Sequence, residues 1–121
     1  MEFKDLENRV LKNAEGYGKE HDIEINIDFA SLKLAEEVGE FYQALLIHLH
    51  KCRREKIVPE KESKAELAKE LADVVGLSII VADTLGINLE RAVLDKWNKH
   101  LDEDHAWSSL NSRYSWKSLR S

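Results

Sequence analysis

Two segments of this chain, residues 28–52 and 63–85, repeat apolar side chains at helical spacing, and each carries a pair of carboxylates inside the repeat. The first reads Glu36-Glu37-Val38-Gly39-Glu40 and the second Glu70-Leu71-Ala72-Asp73. Apolar residues three and four apart line one face of a helix, so two such segments commit the chain to helix-on-helix packing. Charges in segments of this kind normally turn out to water. An ExxE or ExxD pair places two carboxylates on the same helix face, where they repel. Two such pairs on facing helices would form a set of hard oxygen ligands of the kind Mg²⁺ takes.

The rest of the chain is helical in period as well. A first helix is expected from Phe3 towards Gly16, with Phe3, Leu6, Val10 and Ala14 as its stripe and Gly16 and Gly18 breaking it. Ile23-Glu24-Ile25-Asn26-Ile27 alternates like a strand but is short enough to be a linker. A second helix is expected to start at Asp28 as N-cap and to run to about Cys52, with Lys51, Arg53 and Arg54 at its negative end. Residues 55–62, with the only proline, Pro59, read as a loop. Ser63-Lys64-Ala65-Glu66 matches a capping box and opens a third helix that ends at Gly86. Asn88 is expected to cap a fourth helix running to about Asp104. The fold class is therefore all-α, a four-to-five-helix bundle. One domain spans residues 1–105, and residues 106–121 form a Ser-rich, basic tail with Trp107, Tyr114 and Trp116.

Helical wheels place the carboxylates next to the apolar stripes. At about 100° per residue from Glu36, the stripe Leu34, Val38, Phe41, Leu45 and Leu49 centres near 180°, and Lys33, Glu36, Glu37, Glu40 and Gln43 fall between about −20° and 100°. Glu70 and Asp73 lie at the edge of the stripe formed by Leu67, Leu71, Val74, Val75, Ser78, Val81, Ala82 and Leu85. Both pairs are thus expected at the rim of one helix–helix seam. Val74 to Ala82 is apolar nearly all round, and such a helix must be covered on several sides. A homodimer or homotetramer through helix 63–85 (a dimer or dimer of dimers) is the expected assembly.

Composition excludes several classes. The net charge of −5 argues against a general binder of nucleic acid or anionic membrane. Of 18 basic and 23 acidic side chains, three basic ones and no acid lie beyond residue 105, which leaves residues 1–105 at −8. No apolar run approaches the ~20 residues of a membrane span. Cys52 is the single cysteine, and the start shows no signal-peptide core, so a cytoplasmic protein is expected. His48, His50 and Cys52 are two residues apart in turn and point to different sides of a helix, so they do not chelate one ion together. The Glu-x-x-His motifs of a di-iron bundle are missing.

On Leu34-Ala35-Glu36-Glu37-Val38-Gly39-Glu40-Phe41, Lys69-Glu70-Leu71-Ala72-Asp73-Val74-Val75 and Gly86 to Trp97, the chain resembles the MazG-like all-α nucleoside triphosphate pyrophosphohydrolases. The resemblance covers roughly residues 28–100. It implies Mg²⁺-dependent cleavage between the α- and β-phosphates of a nucleoside triphosphate, giving a monophosphate and pyrophosphate, with Mn²⁺ as a substitute ion. It also implies that Glu37, Glu40, Glu70 and Asp73 hold the metal. Glu36, on the same arc, would orient the attacking water or support the ligands. Family members often carry an asparagine and then an arginine after the lysine of the last helix. Here the run is Lys96-Trp97-Asn98-Lys99-His100, with no arginine to align, so Lys96, Asn98, Lys99 and His100 are the phosphate candidates. Lys33 would bind phosphate or neutralise Glu37. Trp97 would stack on a base or serve a core or interface, and Tyr17, Phe29 and Trp107 are further candidates for a base pocket. Two other readings are a phosphoribosyl-ATP or pyrimidine-nucleotide diphosphatase of the same fold and a non-catalytic helical interaction module.

Overall fold

The computed structural model describes residues 1–98, in which four α-helices and one 3₁₀ turn occur and no strand. Helix α1 spans Phe3–His21, α2 Ile27–His48, α3 Glu60–Thr84 and α4 Leu89–Trp97. The all-α class read from periodicity is what the chain adopts. Met1–Asn88 form one compact unit in which α3 lies mainly along α2 and more lightly against α1. Helix α4 falls outside that unit. No described helix is long and apolar enough to cross a membrane.

The helix ends depart from expectation for local reasons. Helix α1 begins with a capping box: the Glu2 side chain accepts from the backbone of Asp5, and the Asp5 carboxylate accepts from Glu2 N at 3.0 Å. It does not break at Gly16 or Gly18 but continues to His21, where Asp22 turns left-handed and Ile23 N donates to Gly18 O. A glycine costs helix stability without ending a helix that gains packing elsewhere. Helix α2 is capped by Asn26 rather than Asp28, because Asn26 Oδ1 reaches Phe29 N at 3.0 Å. It stops at His48, short of Cys52. His50 takes a left-handed φ of 58°, and Lys51 N and His50 N bond back to Leu46 O and Ile47 O in a Schellman turn. The same turn, built on Gly86 at φ 67°, closes α3 where its sequence placed the end.

Helix α3 starts three residues before Ser63, with Pro59 as N-cap. Ser63 has a different task. It is 4% exposed, its hydroxyl donates to Glu60 O at 3.1 Å, and its oxygen lies 2.8 Å from His48 Nδ1. With the hydroxyl proton committed to Glu60, His48 is the donor, and the bond ties the end of α2 to the start of α3. Ser63→Ala leaves that ring nitrogen without its acceptor and is expected to cost about 1 kcal/mol in urea unfolding.

The helix seam is rotated from its expected position. The most covered residues of α2 are Ala30 and Ala44, with Glu37, Phe41 and His48 half-buried beside them. On the same wheel these centre near 110°, about 70° from the apolar stripe and on its carboxylate side. Val38 and Leu49, counted in the stripe, are 36% and 52% exposed. Ala30 and Ala44, whose small side chains suit close helix packing, are buried on this arc, while the bulkier Leu34 and Leu45 are only half-buried. Glu37 is consequently inside the α2–α3 contact instead of at its rim. Ile79, at 1% exposure, is the largest fully buried side chain among the described residues.

Candidate metal centre

Helical spacing brings the carboxylates of α2 together, and the α2–α3 pairing brings them to those of α3. One oxygen from each of Glu36, Glu37 and Glu40 lies within 4.8 Å of the others, and the same holds for Glu37, Glu70 and Asp73. Glu37 belongs to both groups and joins the two acidic motifs. Among the described residues these are the only such groupings, so His48, His50 and Cys52 do not converge.

The crowded carboxylates perturb one another. Oε2 of Glu37 and Oε2 of Glu70 are buried with no hydrogen-bond partner. Loss of water around Glu37, then the hydrogen bond that its protonated form makes with Glu40, then the charges of Glu40, Asp73 and Glu70 push its carboxyl up to about 7. Glu70 is raised for the same reasons, desolvation first and the charges of Glu40 and Asp73 next. Lys33, on the same arc of α2, is engaged with Glu36: its Nζ donates to Glu36 Oε1 at 2.7 Å, and that bond is the main reason its own pKa is raised. Four carboxylates with two orphaned buried oxygens fit a divalent cation, which would supply both the missing partners and the missing charge.

The cluster opens onto a cavity of about 510 Å³ between α1, α2 and α3. Glu37, Asp73 and Lys33 line one part of it and Tyr17, Ile25 and Phe29 another. The Tyr17 and Phe29 rings are 6.2 Å apart at 33°, leaving an aromatic wall. Arg9 and Asn13 also line it, and neither was singled out from sequence. The signal was present in the spacing: Arg9, Asn13 and Tyr17 are four apart on the polar side of α1, but nothing local says which helix face meets a cavity. Lys96 and Trp97 occupy the last turn of α4 and Asn98 follows it, all three exposed, Trp97 at 77%. Lys99, His100, Trp107 and the tail 106–121 lie outside the described residues.

No curated protein and no solved structure matches the chain. A family model described as the MazG-like family matches residues 26–119, a span that takes in α2, α3, α4 and every carboxylate of the cluster. With well over half its length under that pattern, the chain belongs to the MazG-like family.

Proposed function

We propose that the protein is a Mg²⁺-dependent nucleoside triphosphate pyrophosphohydrolase that cleaves between the α- and β-phosphates. Family membership supports a nucleotide pyrophosphohydrolase in general terms. The observation that carries the finer reading is the pair of buried, unpartnered oxygens on Glu37 and Glu70, set beside a cavity of nucleotide size with an aromatic wall.

In this reading Glu37, Glu40, Glu70 and Asp73 hold the ion. When bound, Mg²⁺ neutralises polyphosphate charge and favours attack by water. The base and sugar lodge against Tyr17 and Phe29, which excludes water from one side and sets the triphosphate towards the carboxylates. Glu36 uses Oε1 on Lys33, which leaves Oε2 to accept a proton from the attacking water. Lys33, held by that bond at the cavity edge, can trade Glu36 for a phosphate oxygen as charge arrives. Water adds at phosphorus, the bridging P–O bond breaks, and monophosphate and pyrophosphate leave. Lys96, Trp97, Asn98 and His100 remain proposals for further phosphate or base contacts.

A pyrophosphate-release assay over canonical and modified nucleoside triphosphates, with pyrimidine nucleotides and phosphoribosyl-ATP included, tests this directly. Release from at least one substrate, abolished by excess chelator, is expected. No release from any, or release indifferent to chelator, overturns the proposal, and a melting temperature blind to Mg²⁺ plus nucleotide would favour a non-catalytic module.

A further inference from the structure

Helix α1 lines the cavity with Arg9, Asn13 and Tyr17 on successive turns, and α2 lines it with Phe29, Lys33 and Glu37 in the same way. Two contacts set the register between the helices. The Tyr17 and Phe29 rings are 6.2 Å apart, and Val10 Cγ1 lies 3.9 Å from where a Cβ on Gly76 would stand, one turn beyond Asp73. Helix α1 therefore runs against α2. Arg9, two turns before Tyr17, stands level with Glu37, two turns after Phe29. The aromatic end of the cavity and its carboxylate end are thus about 12 Å apart along α1, with Asn13 and Lys33 between them.

Arg9 has no carboxylate of its own. Among the described residues it enters no ion pair and no side-chain hydrogen bond, although Glu37 and Asp73 line the same cavity. Asp5, one turn back on α1 and its natural partner, caps the helix at the Glu2 amide instead. The other cation of the wall, Lys33, is bonded to Glu36. One divalent ion does not balance four ionised carboxylates, so a polyphosphate arriving there needs a further cation. A guanidinium suits that task, because its planar fork meets two phosphate oxygens at once.

We propose that Arg9 grips the β- and γ-phosphates of the nucleotide, so that α1 holds the substrate by both ends, the base at Tyr17 and the polyphosphate at Arg9. Base, sugar and phosphates follow one another in that order from the aromatic end, which puts the outer phosphates furthest along. The same charge faces the negative charge that collects on pyrophosphate as the bridging P–O bond breaks, and Arg9 transfers no proton. The proposal rests on the pyrophosphohydrolase reading. It extends that reading to a residue outside the matched span 26–119, so the grip belongs to this chain and not to the family pattern.

Calorimetric titration of the full chain with inorganic pyrophosphate in Mg²⁺, beside pyrophosphate-release kinetics, tests the assignment. Arg9→Ala is expected to weaken pyrophosphate binding and to raise KM for the triphosphate, each by about 10–100-fold, and to leave binding of the nucleoside monophosphate unchanged. Arg9→Lys keeps the charge without the fork and should recover part of the loss. Lys12→Ala removes the same charge from the same helix at a position that lines a neighbouring groove and not this cavity, and it should change neither quantity. If the wild type releases pyrophosphate and Arg9→Ala matches it in binding and KM, this proposal falls alone. It also falls alone if Lys12→Ala loses as much as Arg9→Ala, or if monophosphate binding drops as far as pyrophosphate binding. A wild type that neither releases nor binds pyrophosphate overturns the enzymatic reading and this one with it.

Discussion

Glu37→Gln is expected to abolish pyrophosphate release and, in the same variant, to raise the melting temperature of the metal-free protein. The two effects have one cause. Glu37 joins both acidic groups, and its buried Oε2 has no hydrogen-bond partner. Glutamine keeps the shape, removes the charge that Glu40, Glu70 and Asp73 repel, and supplies N–H donors to those carboxylates. Changes to residues that merely support metal ligands cost about 10–100-fold, so loss of a ligand should cost at least 100-fold in activity. The pH dependence has a definite sign. The Glu37 carboxyl sits at about 7 in the fold against an ordinary value of 4.5, so the folded state binds more protons than the unfolded state between those values. The contribution of Glu37 to stability is therefore full below 4.5 and is lost as pH rises through 7. The metal-free wild type should melt lower at pH 8 than at pH 5, and Glu37→Gln should flatten that slope, with Glu70 retaining part of it. At pH 8, Mg²⁺ a hundredfold above its dissociation constant should stabilise the wild type by about 2.7 kcal/mol and the variant far less. A variant that keeps a tenth of its activity, or wild-type melting that rises with pH over this window, would contradict the assigned role of Glu37.

Gly16→Ala and Gly18→Ala should shift stability in opposite directions although they are two residues apart on one helix. A Cβ at Gly16 meets nothing within 4 Å, so alanine gains its helical advantage of about 0.5–1 kcal/mol. A Cβ at Gly18 would lie 2.8 Å from Ile23 O and 3.0 Å from Ile25 Cγ1. The nearer atom is backbone and held, since Ile23 N is bonded to Gly18 O at 2.9 Å. Alanine there should cost about 1–3 kcal/mol, as overpacking does, and lower the melting temperature by about 4–15 °C. Ile25 lines the cavity, so the Gly18 variant should also raise KM for the nucleotide while the Gly16 variant leaves it unchanged. Equal shifts in the two variants would mean that the turn after α1 yields freely.

Helix existence was legible throughout because apolar spacing repeats over many residues. Helix ends were not, because they depend on single hydrogen bonds. Asn26 outcompeted Asp28 as a cap through one bond to Phe29 N, and His50 closed α2 four residues before Cys52 with a left-handed turn that its residue type does not announce. Ser63-Lys64-Ala65-Glu66 had the letters of a capping box, yet Ser63 was needed by His48, fifteen residues away. The carboxylate site was legible for the opposite reason. Its pairs are set by spacing of three on a helix, which no tertiary contact can alter.

By itself, then, the sequence determined that the chain is helical, that two acidic pairs share their helix faces, and that they carry the MazG-like pattern. Those properties follow from backbone geometry and residue order. Only the tertiary structure decided which arc of α2 is covered, the one that carries the buried Ala30 and Ala44, because helical spacing alone does not say which face meets a partner. That choice put Glu37 inside the contact, left two carboxylate oxygens buried without partners, drew Arg9, Asn13 and Tyr17 to a cavity, and turned an apolar stripe outward.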